Sequence, residues 1–522
     1  MPVPPDEPNP IARKPACGTA SAKGTVALVG AGPGDPRLIT VRGVECLAAA
    51  DVVLYDYLAN PRLLEYCRPD ATLVCLGKHG RDRIFTQEEI NARMTAETLA
   101  GNYVVRLKGG DPAVFARCGE EITALEAAGL KYEVVPGITT ALAAGSHAGI
   151  ALTDRRHASA VALVTGHEKG EQAESKLDYA ALAKFPGTLV FYMGVTSAPH
   201  WTAELIASGM SPTMPVAVIR RCSWPDQETH VTTLGELTDL MKSLKLRPPV
   251  LTIVGPTVAE RSLQTWFTER PLFGRRIVLT RPKHQCDDAR RLLVDLGAEV
   301  LLQPAIEIGE PGDWGPLDAA LQTIGEFDWV VFSSVNGVHN FFKRLRHHGC
   351  DARALGRAKL AAIGPGTAEA LEEQKLRADL VPESFRAEAL AEAVIRAAAA
   401  KSRVLLVRAS RGREVLAEML TAAGHAVTQA EAYSSVDVAT ADPEIAALLA
   451  AGRIDWLTVT SSAIARSLVN LFGDDLRKTK LASISPITSE TLRSLGHEPA
   501  AEATEYTLPG IVQAIVAAEE QL

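Results

Sequence analysis

Two stretches of the chain place backbone, carboxylate and hydroxyl groups where they could hold a ligand. Val26-Ala27-Leu28-Val29-Gly30-Ala31-Gly32-Pro33-Gly34-Asp35 sets three glycines after an apolar run, and Lys108-Gly109-Gly110-Asp111-Pro112 sets two glycines and a carboxylate after another. Glycine lets backbone groups approach a ligand closely, and Asp111 offers a carboxylate to its hydroxyl or amino groups. A dinucleotide loop is the first chemistry to weigh, because Asp56 ends a later strand about where a ribose-binding acid belongs. The spacing opposes it. GxGxxG needs its third glycine at position 35, which is Asp, and Pro33 removes an N–H from the loop. In the second half the chemistry-bearing residues are hydroxyls. Ser333-Ser334, Gly364-Pro365-Gly366-Thr367, Ser461-Ser462 and Ser485-Pro486-Ile487-Thr488 end strands and open helices. Such helix starts present N–H and O–H donors to anions, and each Ser or Thr reads equally well as an N-cap. The eight cysteines form no CxxC and no Cys/His cluster, so no metal and no disulfide framework is expected, and a reduced compartment fits.

These residues must be positioned by α/β elements. Short β-branched runs at 51–56, 103–107, 132–136, 161–166, 188–194, 214–220 and 250–255 alternate with Ala/Leu/Glu-rich helical stretches. Ordered structure should begin at Gly24; residues 1–21 hold six prolines and read as a flexible tail. A fresh start at Arg275, after the breakers Pro271 and Gly274, divides the chain. The domains expected are therefore 22–264 and 274–522, joined by a linker at 265–273. The second half repeats itself: residues 275–300 align with 402–427, 327–342 with 454–469, and 359–371 with 480–492. Arg276 to Arg403 and Trp329 to Trp456 are both 127 residues apart, and the third match is offset by 121. The repeat predicts two similar α/β units with a ligand cleft between them.

Composition narrows the function. The 522 residues carry 54 basic and 62 acidic side chains, net −8, and neither half is basic, so nucleic-acid binding is not expected. No apolar run spans a membrane and the N-terminus lacks a secretory signal, which predicts a cytoplasmic protein.

The ordered segments GAGPGDPRLIT (30–40), DVVLYDYL (51–58), LGKHG (76–80), VVRLKGGDPAVFARCGEE (104–121), VVPGITTALAA (134–144), GIALTDR (149–155), VTGH (164–167), TLVFYMG (188–194), MPVAVI (214–219) and LTIVG (251–255) resemble the tetrapyrrole methylases. Within that family the uroporphyrinogen-III C-methyltransferases are nearest. The resemblance covers about residues 24–260. It implies a two-lobed α/β fold binding S-adenosylmethionine between the lobes, two methylations of uroporphyrinogen III (at C2 and C7) to precorrin-2, and a homodimer through this half. By resemblance Pro33, Gly109, Gly110, Asp111, Val114, Thr139, Thr140, Met193 and Cys222 line the methyl-donor site. Cys222 stands where the family pattern has Gly, so its contact is expected through backbone. Asp56 and Lys78 match positions assigned as base and acid. Ala151 and Asp154 replace the Pro and His of the family's PLTHR, which leaves substrate contacts there unassigned.

RRIVLTRP (275–282), FSSVNGV (332–338), AIGPGTAEAL (362–371), VLLVRASRGREVLAEML (404–420), EAYSSV (431–436) and the TSS and SPIT repeats resemble uroporphyrinogen-III synthase, over about 274–520. The implied fold is a duplicated two-lobed α/β structure whose chain crosses between lobes near 303–310 and 431–437. The implied reaction is cofactor-free closure of hydroxymethylbilane with loss of water and inversion of ring D. Tyr433 matches the tyrosine that assists departure of the hydroxyl. Ser334, Thr367, Ser461 and Thr488 match cleft hydroxyls that bind substrate. Arg281, Arg408 and Arg411 are candidates for pairing with its carboxylates. Ser485 replaces a usual Gly, so that turn is expected to be distorted. The joint expectation is a bifunctional enzyme taking hydroxymethylbilane to precorrin-2 for sirohaem or cobalamin synthesis. The alternative is a methylase of another corrin precursor carrying a non-catalytic tetrapyrrole-binding module.

Overall fold

The computed structural model describes residues 24–77, 85–167, 176–262, 265–412 and 414–521. It separates into two units, with the first ending at Gly274 and the second beginning at Arg275. The Pro-rich segment 1–21 lies outside the described residues.

Apolar β-branched runs build the first unit's two sheets. Strands β1 (Thr25–Gly30), β2 (Val52–Tyr55), β3 (Thr72–Cys75), β4 (Tyr103–Lys108) and β5 (Lys131–Val135) form a wholly parallel sheet in the order β3-β2-β4-β1-β5. Val26, Leu28, Val104 and Leu107 are fully buried, as a sheet covered on both faces requires. Strands β6 (Val161–Thr165), β7 (Thr188–Tyr192), β8 (Pro215–Arg220), β9 (Glu228–Thr233) and β10 (Val250–Val254) form the second sheet, β6-β7-β10-β8-β9. There β10 runs antiparallel to both β7 and β8. The helix Thr140–Ala148 carries the chain from one sheet to the other.

Residues 265–273, expected as a linker, pack into the first unit together with Gly274. Phe267 and Leu272 are buried, and Trp266 Nε1 donates to the Ser146 carbonyl at 3.1 Å.

In the second unit the two sequence repeats do not each make one lobe. Strands β11 (Arg276–Leu279) and β12 (Glu299–Leu302) join β18 (Trp456–Val459), β19 (Lys480–Ser483) and β20 (Ala501–Glu502) in a parallel sheet ordered β12-β11-β18-β19-β20. Strands β13 (Ile306–Gly309), β14 (Trp329–Phe332), β15 (Lys359–Ala362), β16 (Arg403–Ala409) and β17 (Ala426–Asp437) form the other, β13-β17-β16-β14-β15. Each lobe thus takes half of each repeat. The exchange is made where β13 pairs antiparallel with the end of β17, Ile306 opposite Asp437 and Gly309 opposite Ser434. Repeat-related contacts survive it: Asp455 accepts from Arg276 N at 2.7 Å, and Asp328 from Arg403 N at 2.9 Å.

Candidate active sites

In the first sheet β1, β4 and β2 are neighbours, so the loops that leave their C-terminal ends meet in one crevice, the usual ligand position in open α/β sheets. Gly32 and Gly110 exchange two backbone hydrogen bonds, Gly32 N to Gly110 O at 3.1 Å and Gly110 N to Gly32 O at 2.8 Å. A Cβ on Gly137 would lie 2.3 Å from Gly110 O, and one on Gly30 2.5 Å from the Gly137 Cα. Three loops therefore touch backbone to backbone, which only glycine permits. Asp111 fastens them: Oδ2 accepts from Gly137 N at 2.9 Å and Oδ1 from Ala113 N at 2.8 Å. Beside Gly110 there is room. A Cβ there would have nothing nearer than Thr140 Oγ1 at 3.9 Å and Thr139 Cα at 4.0 Å. That open backbone, facing the first turn of the helix Thr140–Ala148, suits a ligand with both charged and hydroxyl groups.

The structure draws most of the expected residues to this place. Val114 follows on the Asp111 turn, its N–H donating to Asp111 O at 3.2 Å. Pro33 stands next to Gly32. The Thr139 hydroxyl lies 2.7 Å from Tyr192 OH, which also accepts from Ala141 N at 2.9 Å. Met193 follows in left-handed backbone, φ 53°, and is half exposed. The Cys222 side chain is not at the site. It is buried in the second sheet's core with Ala141 and Ile219, and burial pushes its thiol up to about 12. Sequence reasoning missed Ser223, Trp224 and Tyr192. Ser223 Oγ accepts from Asp35 N at 3.0 Å, which ties the 221–227 loop to the glycine loop. A Cβ on Gly34 would collide with the Trp224 indole at 2.2 Å. Tyr192 was legible only as part of a strand.

Asp56 directly follows β2, beside a buried charge cluster. Arg106 Nη2 donates to Asp56 Oδ1 at 2.6 Å and Arg106 Nε to Glu121 Oε1 at 3.1 Å, while Lys108 Nζ donates to Glu121 Oε2 at 2.7 Å. Arg106, Lys108 and Glu121 are essentially inaccessible, and the Asp56 carboxyl is 29% exposed. Burial is the largest influence on Lys108, and with Arg106 beside it lowers its affinity for a proton. The arrangement leaves Asp56 as the one member of the cluster that reaches solvent. Lys78, the expected acid, lies outside the described residues.

In the second unit Tyr433, Ser334 and Thr367 belong to one lobe, and Ser461 and Thr488 to the other. Tyr433 OH donates to Ser334 Oγ at 3.0 Å, and Ser334 Oγ also accepts from Gly337 N at 3.0 Å as the N-cap of the helix Val335–His347. Burial raises the Tyr433 phenol's pKa, partly offset by Ser334 and Asn336, so the phenol keeps its proton. Ser461 caps the helix Ser462–Phe472 through Ile464 N at 3.2 Å. Thr367 and Thr488 are buried in the first turns of their helices. Thr488 Oγ1 lies 3.2 Å from Ser485 Oγ. Ser334 and Ser461 are thus N-caps, whereas Thr367 and Thr488 lie inside first turns that begin at Gly364 and Ser485. The turn at Ser485 is not distorted, contrary to expectation. Its φ of −164° and ψ of 160° nearly repeat Gly364's −170° and 179°, extended backbone open to any residue, and Ser485 adds a cap on Thr488 N. The lobes touch near Tyr433, where Gln285 Nε2 donates to Asn336 Oδ1 at 2.7 Å.

Residues 25–238 match the family model of tetrapyrrole (corrin/porphyrin) methylases, and residues 287–513 that of uroporphyrinogen-III synthase HemD. Porphyrin biosynthesis protein HemD of Ruminiclostridium josui is 33% identical over 489 residues, 94% of this chain and 95% of that protein. Uroporphyrinogen-III C-methyltransferase of Bacillus subtilis is 39% identical over 351 residues, 67% of this chain and 72% of that protein. Siroheme synthase of Sodalis glossinidius is 44% identical over 253 residues, 49% of this chain; the chain spans about half of that protein's length.

Proposed function

We propose, from the premise that this chain belongs to the family in which a tetrapyrrole methylase is fused to a uroporphyrinogen-III synthase, that its two units act in succession on one substrate. The second closes hydroxymethylbilane to uroporphyrinogen III, and the first methylates that product twice to precorrin-2. The observation that carries the reading is the presence in one chain of both constellations, the glycine crevice with Asp56 and the lobe crevice with Tyr433. S-adenosylmethionine, when bound, supplies the methyl group. Gly109, Gly110 and Asp111, with Thr139, Thr140 and Met193, would hold it, because they combine open backbone with hydroxyl and carboxylate groups. Each methylation releases one proton from the macrocycle, and Asp56, oriented by Arg106, is placed to accept it. In the second unit Tyr433 gives a hydrogen bond to the departing hydroxyl while the lobes fold the open chain for closure at ring D. No helix among the described residues is long and apolar enough to cross a membrane. A cytoplasmic homodimer, joined through the first unit and binding no nucleic acid, completes the proposal.

The test is to supply hydroxymethylbilane with and without S-adenosylmethionine and resolve products by spectrum and mass. Uroporphyrinogen III without the donor and a dimethylated product with it are expected; only the symmetric type I isomer in either arm would refute the synthase reading.

Tyr433→Phe should slow cyclisation and lower the ratio of type III to type I isomer while leaving methylation of supplied uroporphyrinogen III intact. Acid assistance contributes about 10²–10⁴-fold in general. The lower end or less is expected here, because the substrate's hydroxyl leaves readily and the chain closes unaided to the type I isomer. The ring's packing among Phe332, Phe341 and Val407 is retained by Phe, so a lost rate reports the phenol. A variant with the parent's rate and ratio would make Tyr433 a packing residue.

A further inference from the structure

We infer that Arg281 is a carboxylate-binding residue of the second unit, set in one lobe to receive an acidic side chain of the linear tetrapyrrole. The inference rests on the synthase reading above and adds the group that takes up the substrate's charge.

The internal repeat supplies the argument. Arg281 and Arg408 correspond at the 127-residue offset; Arg408 stands near the end of β16 and Arg281 two residues past the end of the equivalent strand β11. Arg408 is held on several sides within its own lobe. Its Nη1 donates to Glu414 Oε1 and to Gln429 Oε1, both at 2.5 Å, and its Nη2 to Gly412 O at 3.3 Å. The positions corresponding to Gly412, Glu414 and Gln429 are Gln285, Asp287 and Leu302. None of them serves Arg281. Leu302 has no acceptor side chain, and Asp287 is exposed on the first turn of the helix Asp287–Asp295. Gln285 spends its amide on Asn336 of the other lobe. Arg411, the third cation expected to meet substrate, is paired with Asp437 at 2.7 Å.

Arg281 therefore has no ion pair and no side-chain hydrogen bond among the described residues. It is nonetheless partly buried, and that burial works against its charged form. A desolvated cation without a counter-charge destabilises the fold it sits in. It makes physical sense where a ligand brings the anion, and a guanidinium matches a carboxylate through two parallel hydrogen bonds. Its place agrees. β11 lies beside β18, after which Ser461 caps its helix. Four residues past Arg281, Gln285 touches Asn336, two residues from Tyr433's partner Ser334.

The experiment uses the full-length protein with hydroxymethylbilane, comparing the parent with R281M, R281K and R408M. Initial rates are corrected for unaided closure. R281M should raise KM about 10- to 100-fold, as loss of a charge-assisted contact predicts, with kcat changed much less and R281K in between. Its melting temperature should equal or exceed the parent's, because an unpaired charge has been removed, whereas R408M should melt lower because its partners are left unpaired. Methylation of supplied uroporphyrinogen III should be unaffected in all variants. An unchanged KM in R281M, or a melting temperature lowered as far as that of R408M, overturns the assignment. If the parent itself yields no type III isomer, the synthase reading falls and takes this inference with it, a result distinct from any comparison among variants.

Discussion

A chain ended at residue 264 should fail to fold its first unit, whereas one ended at residue 274 should melt as that unit does in the full protein. The ten residues between them are an integral strap. The Phe267 ring meets His147 edge-on at 4.5 Å between centroids and Phe273 at 5.4 Å, and the Arg270 guanidinium lies 4.2 Å over it. Leu272 is fully buried, and Gly274 N donates to Pro225 O at 3.1 Å. Truncating one buried Phe costs about 3–5 kcal/mol and one buried Leu about 2–5 kcal/mol. Losing both approaches the whole stability of a typical domain, about 5–15 kcal/mol. The strap also braces the proposed methyl-donor site. His147 belongs to the helix whose first turn faces Gly110, and Pro225 to the loop that holds Asp35. A pH dependence follows from His147. Burial lowers its proton affinity below the ordinary 6.5, so the unfolded chain takes up a proton that the folded one refuses. The stability of the 274-residue piece should be fully present above that value and decline as pH falls below it. Calorimetry of both pieces at pH 7.5 and 5.5 checks this. A 264-residue piece that melts like the longer one would show the strap to be a mere linker.

The strap marks a limit of what was legible in the sequence. Pro271 and Gly274 signal a break, but Phe267 and Leu272 give no sign of which unit they pack against. The elements with strong local signals were legible. All seven β-branched runs named for the first unit form strands, because continuous apolar runs have no other way to be buried in a doubly covered sheet. β3 and β9 were not named. Thr72 and Leu73 are exposed, and β9 is half-exposed along most of its length, so they exist by pairing with β2 and β8 rather than by pattern. The duplication in the second half was plain, but a repeat in sequence does not say which copies share a sheet. That is decided by β13 and β17, whose pairing holds the two crossings together. At the sites, the glycines were legible because close backbone approach leaves a composition signature. Charge partners were not. Glu120 and Glu121 are adjacent acids, yet Glu120 pairs with exposed Arg117 and Glu121 is wholly buried. Only the phase of the helix Cys118–Ala127 against the sheet decides between them.

That buried acid carries the other large effect. Glu121→Gln should destabilise the first unit by about 3–5 kcal/mol, the usual result of removing one partner from a buried ion pair. The shape is kept, so the loss is electrostatic. Glu121 receives Arg106 Nε, Lys108 Nζ and, at 3.3 Å, Gln87 Nε2. With a neutral amide there, two buried cations share only Asp56. Lys108, whose proton affinity is already lowered by burial and by Arg106, loses the carboxylate that opposed those influences. Its folded-state pKa then falls further below the unfolded value. Because the unfolded chain binds the proton more tightly, the variant's stability must rise with pH as Lys108 discharges in the folded state. The parent, with the Glu121 carboxyl against Lys108 Nζ, should show less of this slope. Adding Lys108→Met removes the surplus charge, so the double variant should regain part of the lost stability, a coupling readable in a double-mutant cycle. Methylation should suffer beyond the loss of folded protein. Arg106 orients Asp56, and Lys108 leads directly into Gly109 and Gly110, so one disturbed cluster shifts both the proposed base and the proposed donor loop. Cyclisation of hydroxymethylbilane, performed in the other unit, should stay at the parent's rate. Equal melting temperatures for Glu121→Gln and the parent across pH 6 to 9 would mean that water has replaced the lost charge, and that Asp56 owes its position to Arg106 alone.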